Sequence, residues 1–247
     1  MDIALVIGKK NSTGVPGKNV SQILGRPAAE YAFISAKYSL SDRIYVSTDS
    51  NEIADIGKPY GAIHIDRPDY LATPEALTED ALMHAYRFIK EDLKGETIST
   101  IALLFCNNPA INVDLLKKAK SFLRQSKDYD SCFSVAKYDM FSPARARKIN
   151  SEGEIQPFVD LKYLDNVSSI RDSQGSTFFC DLSIQVMKPS CFENMDDGQL
   201  PFKWQGKKSY AIETDFGFDI DSKWQEVVIE FWLKSHGYTE DKIPWNL

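Results

Sequence analysis

The sequence predicts an α/β fold with a doubly wound, mostly parallel sheet and a small antiparallel insert. Up to about residue 140, short apolar runs alternate with amphipathic segments of ten or more residues. This alternation requires right-handed crossovers between parallel strands. Beyond that point, short β-like runs joined by polar turns indicate an antiparallel insertion at about 140–195. We therefore expect one domain, 1–247, that carries this insert.

The first half of the crossover pattern has clear boundaries. A continuous apolar run at 3–7 predicts a strand buried on both faces. A proline at the first turn and apolar residues at helical spacing predict a helix over 27–40. The β-rich run at 43–48 predicts a second strand, and 49–61 predicts a short helix that starts with Asp and Ser.

The second half continues in the same way. The segment 74–95 has the clearest amphipathic helix pattern and ends at a glycine. A buried strand is predicted at 100–106, a helix with an initial Asn at 112–126, and a further strand at 129–138. After the insert, "SYAIETDFGFDID" is β-like, and a final amphipathic helix is expected to pack on the sheet through Val227, Val228, Phe231 and Trp232.

Composition limits the possible partners. The chain of 247 residues has a formal net charge of -6, which disfavours nucleic acid and anionic membrane surfaces as partners. Apolar runs do not approach the roughly 18 to 20 residues of a membrane span, and the N-terminus does not read as a signal peptide. We expect a cytoplasmic protein. The four scattered cysteines signal neither a zinc site nor a disulfide framework.

A glycine-rich, cationic loop follows the first strand at 8–20. Ligands of open α/β sheets bind outside the carboxyl ends of the strands, and this loop lies there. Its glycines would let backbone amides approach an anion, and its lysines could pair with a polyphosphate. The loop matches neither standard phosphate-binding motif, so phosphate binding and a plain surface turn stay equally open. The residues concerned are Gly8, Gly14 and Gly17, and Lys9, Lys10 and Lys18.

Two carboxylates stand near the end of the last β-like stretch. On a strand, Asp219 and Asp221 would point to the same face and could hold one hard cation, with Mg²⁺ the natural candidate beside phosphates. Edge-strand charges or a helix cap are the alternatives, and Asp215 is a weaker third candidate. The "STDS" of 47–50 is typical of a helix cap.

Taken in order, these motifs resemble the acylneuraminate cytidylyltransferases, the CMP-sialic acid synthetases. The family's "IPARGGSKGIPGKN" aligns with "VIGKKNSTGVPGKN", and its "VVVSTDSEEIA" with "IYVSTDSNEIA" at 44–54. "FDID" at 218–221 falls where the family has its metal-binding aspartates, and 146–158 resembles the start of its dimerisation insert. Further matches are Gly61, Ala62, Arg67, Pro68, Leu71 and Ala72.

The resemblance implies a Rossmann-like nucleotidyltransferase fold, a homodimer and a defined reaction. The loop would bind CTP, and Mg²⁺ would be held by Asp219 and Asp221. The anomeric hydroxyl of an acidic sugar, nonulosonic or 2-keto-3-deoxy, would attack the α-phosphate, with Lys18 stabilising the pyrophosphate that leaves. The nucleotide contacts it implies are Gly8, Lys9, Lys10, Ser12, Asn19 and Arg67.

The sequence also departs from the family. Lys9 replaces an arginine and Thr13 a lysine, which exchanges a bidentate fork for a point charge and removes another charge. The family's "LLQPTSPLR" reads "LLFCNNPAI" here, so an unusual acid is expected as the acceptor. A non-catalytic nucleotide-binding scaffold is the alternative. The predicted acceptor contacts are Phe105, Asn107, Asn108 and Asp181.

Overall fold

The computed structural model describes residues 1–11, 14–170, 173–217 and 219–245. Its strands, in chain order, are β1 (Asp2–Ile7), β2 (Gln22–Ile23), β3 (Arg26–Pro27), β4 (Arg43–Thr48), β5 (Ile63–Asp66), β6 (Thr100–Phe105), β7 (Ser131–Lys137), β8 (Arg147–Ile149), β9 (Ile155–Pro157), β10 (Phe178–Met187) and β11 (Ser209–Thr214). Its α-helices are α1 (Ala28–Tyr38), α2 (Asn51–Gly57), α3 (Thr78–Asp92), α4 (Val113–Gln125), α5 (Ser190–Glu193) and α6 (Lys223–Ser235).

The described residues form a central seven-stranded sheet in the order β11-β7-β10-β6-β1-β4-β5. Neighbouring strands from β6 to β5 pair in parallel, and so do β7 and β11. β10 enters between β6 and β7 and runs antiparallel to both. The predicted mostly parallel α/β fold is confirmed, with the small antiparallel hairpin of β8 and β9 lying apart from the central sheet.

Burial explains the continuous apolar run of β1. Alternate residues of this strand enter separate cores on the two faces of the sheet, as in any strand covered on both sides. Leu5 packs in the cluster that contains residues of α3, whereas Val6 packs in the cluster that contains residues of α1 and α4. A polar residue at either position would therefore be buried without a partner.

The final helix is placed as predicted, but its buried face differs. Val227 and Phe231 are 71% and 73% exposed, and Val228 is half-buried. The helix packs against α1 and against β2 and the turn that follows it, rather than lying broadly on the sheet. A narrow apolar stripe on the helix is enough for this contact. That stripe consists of Ile229, Trp232 and Leu233.

The loop that carries the two aspartates is a second difference. β11 ends at Thr214, so Asp219 and Asp221 lie in the connection to α6 and not on a strand. Their placement comes from Ile220, which is fully buried and whose N–H donates to the Asn107 carbonyl at 2.8 Å. Within the described ranges, the helices are too short or too polar to cross a membrane.

Candidate active site

A cavity of about 250 Å³ opens at the carboxyl ends of β1 and β6. Loops that follow parallel strands gather at this edge of the sheet. One side of the cavity is polar and the other is apolar. The predicted residues that line it are Gly8, Lys9, Lys18, Asn19, Arg67, Phe105 and Asn107, and the apolar wall includes Leu71, Ala76 and Leu77.

The glycine-rich loop is held closed by its own residues. Asn19 is 7% exposed, and its side-chain amide donates to the Lys9 carbonyl at 2.8 Å, which joins the two ends of the loop. Gly17 has a φ of 72°, a left-handed conformation that favours glycine. The next turn places Lys18 at the cavity. Ser12 lies outside the described residues.

Asp49 supports the same loop from the end of β4. Its Oδ1 accepts from the backbone N–H of Lys10 at 2.8 Å. The cap of α2 is Ser50 instead, whose Oγ accepts from the Ile53 N–H. The "STDS" motif thus caps a helix, as predicted, and also positions the loop. The side chain of Lys10 is exposed and does not line the cavity.

Two cationic side chains of the cavity, Lys9 and Arg67, are each anchored to a backbone carbonyl. The Lys9 ammonium donates to the Thr73 carbonyl at 3.0 Å, which ties the loop to the apolar wall. Arg67 is 7% exposed and donates to the Ser47 carbonyl at 2.8 Å. Burial lowers the pKa of the Arg67 guanidinium, and the carboxylate of Asp49 opposes that shift. Arginine stays charged in either case.

An acidic edge lies beside the loop. Asp221 Oδ1 and the Lys18 ammonium are 2.6 Å apart, and Asp219 Oδ2 accepts from the Asn107 side-chain amide at 3.2 Å. Burial raises the pKa of the Asp219 carboxyl, and the charge of Asp221 raises it further, while Lys18 and Asn107 lower it. The negative charge of Asp221 beside the Asp219 carboxylate favours a cation between the two.

The donor set fits a magnesium ion that is shared with a substrate. Mg²⁺ needs one or two carboxylates when phosphate oxygens and waters supply its other ligands. Groups of three or more candidate metal-ligating side chains do not occur in the part of the chain that the structure describes. Asp219 and Asp221 could therefore hold Mg²⁺ with a bound triphosphate, and a closed protein cage is not built here.

The comparison with known families decides the class of the protein. A family model described as cytidylyltransferase matches residues 3–151. The chain belongs to the cytidylyltransferase family. This membership places it among the nucleotidyltransferases, as the motifs predicted.

Two relatives and one solved structure are similar to this cytidylyltransferase. A Helicobacter pylori protein named "Pseudaminic acid cytidylyltransferase and UDP-2,4-diacetamido-2,4,6-trideoxy-beta-L-altropyranose hydrolase" is 26% identical over 196 residues, 78% of this chain and 36% of that protein. The chain thus spans about a third of that relative. The Legionella pneumophila CMP-N,N'-diacetyllegionaminic acid synthase is 26% identical over 182 residues, 71% of this chain and 76% of that protein.

The solved structure is of a CMP:2-keto-3-deoxy-manno-octonic acid synthetase complexed with CTP. It aligns with a TM-score of 0.64 at 13% identity and covers 95% of this chain and 98% of the other. At this identity the likeness concerns the fold. The structural alignment of this cytidylyltransferase extends along nearly the whole chain.

Two predicted acceptor contacts of the cytidylyltransferase are buried and do not belong to the cavity lining. Asn108 is 1% exposed, and its side-chain amide donates to the Asp181 carbonyl at 3.3 Å. Asp181 is 8% exposed, and its carboxylate accepts from the hydroxyls of Ser134, Ser183 and Thr214. Neither residue lines the cavity. Their described contacts instead join β7, β10 and β11.

Several residues of the site were not anticipated from the sequence of this cytidylyltransferase. Asp49 supports the loop and Ser47 holds Arg67, although both belong to a motif that reads as a helix cap. Their position at the carboxyl end of a strand of the parallel sheet was the available signal. Thr73, Ala76 and Leu77 gave no sequence signal of a site, because they come from an irregular connection to α3, whereas Leu71 lies in the segment that resembles the family.

Proposed function

We propose that this cytidylyltransferase transfers CMP from CTP to an acidic sugar, nonulosonic or 2-keto-3-deoxy, and releases pyrophosphate. One observation carries the proposal: Lys18 from the glycine-rich loop meets Asp221 at the edge of the cavity, at 2.6 Å. A phosphate-binding cation and a metal-binding carboxylate at one point suit a metal-bound triphosphate. The names of the relatives, which include pseudaminic and legionaminic acids, support an acidic sugar as the acceptor.

The proposed catalysis rests on positioning and charge neutralisation. Attack of a sugar hydroxyl on the α-phosphate requires no covalent enzyme intermediate, so the protein has to align the two reactants and stabilise the charge of the leaving group. Lys18 and Lys9 would neutralise the β- and γ-phosphates. Mg²⁺ held by Asp219 and Asp221 would neutralise further phosphate charge. Asn19 would maintain the loop that presents these groups.

The two sides of the cavity fit the two parts of a nucleotide. The apolar wall of Leu71, Ala76 and Leu77 offers a surface for a base. Arg67 reaches the cavity as a buried guanidinium, already oriented by Ser47. We propose that Arg67 contacts the base or ribose, because its fixed fork can give a directional hydrogen bond there.

The identity of the acid is a separate question. Phe105 stands where the family motif that the sequence resembles has glutamine. It lines the cavity with an aromatic ring that cannot donate or accept a conventional hydrogen bond. We therefore propose an acceptor that is apolar where it meets Phe105, which disfavours ordinary sialic acid. A panel of acidic sugars, each tested for CTP-dependent pyrophosphate release, identifies it.

Calorimetry of nucleotide binding tests the central proposal. CTP should bind more tightly with Mg²⁺ than without it, and more tightly than ATP, GTP or UTP under the same conditions. Absence of CTP binding, together with absence of pyrophosphate release from the sugar panel, would overturn the proposal.

A non-catalytic nucleotide-binding scaffold is the second candidate, motivated by Lys9 and by the sequence at position 13. Asp221→Asn separates the two candidates because it keeps the side-chain shape and removes the charge. An enzyme should lose turnover by orders of magnitude. A scaffold would show no turnover in either form and would bind its nucleotide equally well with either residue.

We further propose a homodimer formed through the insert at about 140–195. Phe141, Phe158 and Phe179 are 56%, 67% and 41% exposed and contribute to an apolar cavity of about 500 Å³. Apolar patches of this kind mark association surfaces. The cytoplasmic location stays a prediction from the sequence.

A further inference from the structure

We propose that Asn107 is a positioning residue that orients the Asp219 carboxylate for the cation, rather than a contact to the acceptor sugar. The inference rests on the proposed function, because it assigns a role within the same metal-linked nucleotide site. At this position the chain has asparagine, whereas the family motif that the sequence resembles has threonine.

Two contacts join Asn107 to the aspartate loop, and they are chemically independent. Its backbone carbonyl accepts from the Ile220 N–H at 2.8 Å, which fixes the position of the aspartate loop relative to the end of β6. Its side-chain amide donates to Asp219 Oδ2 at 3.2 Å, which restricts the rotation of that carboxylate. Substituting the side chain removes the second contact and retains the first.

The two carboxylates of the site are held in different ways. Asp221 is paired with the Lys18 ammonium, a full positive charge that a cation must compete with or displace. Asp219 receives a neutral donor, which orients the carboxylate without neutralising it. Asp219 is also the more buried of the two, since it is half-buried and Asp221 is exposed, so water competes less with a hydrogen bond to Asp219.

Outer partners of metal-binding carboxylates typically contribute about 10- to 100-fold to metal affinity. Asn107 lines the cavity and is partly exposed, so its donor acts at the interface between the protein and the bound cation. The amide of Asn108, in contrast, is buried and bonds to the backbone of Asp181. The two neighbouring asparagines therefore have separate roles.

Binding of Mn²⁺ in the presence of CTP, followed by electron paramagnetic resonance of free Mn²⁺, tests the inference without any acceptor. Asn107→Leu and Asn107→Ala both remove the donor but differ in size. Both variants should bind Mn²⁺ about tenfold more weakly than the wild type, while CTP affinity without metal stays within twofold. The matched control is Asn51→Leu on the exposed start of α2, which should change neither value.

The outcomes separate this inference from the proposed function. Wild-type Mn²⁺ affinity in both Asn107 variants overturns the inference and leaves the function standing. Loss in the alanine variant with retention in the leucine variant overturns it too, because packing would then explain the effect. Absence of CTP-linked Mn²⁺ binding in the wild type overturns both proposals. Should the leucine variant fail to fold, the alanine variant and its control decide the matter.

Discussion

Replacing Gly8 with alanine would place a Cβ 2.6 Å from the sulfur and 2.7 Å from the Cβ of Cys106. Neither Cys106 nor Gly8 can move easily. Cys106 is fully buried, and its N–H donates to the Ile7 carbonyl at 2.9 Å. Gly8 follows β1 directly and donates to the Ser47 carbonyl. The substitution therefore forces apart two turns that both border the cavity.

The expected cost follows from this geometry. Gly8 does not adopt the left-handed φ at which alanine is strained, so the penalty is steric. Overpacking of a well-packed core costs typically about 1 to 3 kcal/mol. Because two atoms of Cys106 lie well inside contact distance, we expect about 2 to 3 kcal/mol for Gly8→Ala.

A double-mutant cycle with Cys106 measures the effect by urea unfolding. Cys106→Gly removes both clashing atoms, so the double variant should show a favourable coupling free energy of about 1 to 3 kcal/mol. Cys106→Ala keeps its Cβ and should rescue less. An unfolding free energy of Gly8→Ala within about 0.5 kcal/mol of the wild type, or zero coupling with Cys106, would refute the steric reasoning.

Binding of CTP to the same variants separates packing from direct contact. If packing explains Gly8, the double variant should recover CTP affinity together with stability. Recovered stability with persistently weak CTP binding would show instead that glycine is needed for the close approach of backbone to phosphate, as the sequence suggested.

Three further predictions concern other parts of the molecule. Ser50→Ala should lower stability by about 1 kcal/mol through loss of the α2 cap and should leave CTP affinity unchanged. Asp49→Ala should weaken CTP binding, measured by calorimetry, because the loop loses its support at Lys10. Equal effects of the two variants on CTP binding would contradict this division of roles. Burial lowers the pKa of Lys120 to about 8 from 10.5. Between these values the unfolded chain binds more protons, so stability rises with pH. The wild type should gain about 1 kcal/mol over Lys120→Met between pH 7 and 9 in urea unfolding; a constant difference would disprove it. Phe158→Asp, at an exposed apolar position of the insert, should shift the proposed dimer to monomer in sedimentation, and an unchanged mass would exclude this surface.

The order and type of the main elements were predictable because their signals are local. The strand predicted at 43–48 is β4 with the same boundaries, and the helix predicted at 112–126 is α4 with Asn112 as its cap. Apolar periodicity and capping chemistry act over a few residues, so a single sequence displays them directly. The motif order likewise indicated the family.

The site was only partly predictable, because its decisive contacts join distant segments. The alternation in "FDID" predicted a strand, but the loop is placed by burial of Ile220 and by the carbonyl of Asn107. The position of β10 between β6 and β7 similarly follows from pairing across the sheet and leaves no local pattern.

The sequence alone determined the α/β class, the loop at the end of β1 and the residue types available for phosphate and metal. Tertiary structure decided which of them meet. Asn107 and Asp219 are 112 positions apart, and Lys18 and Asp221 are 203 apart. A side chain's hydrogen bond depends on where the packed sheet brings its partner, and that geometry results from the whole core rather than from the residues beside it in the chain.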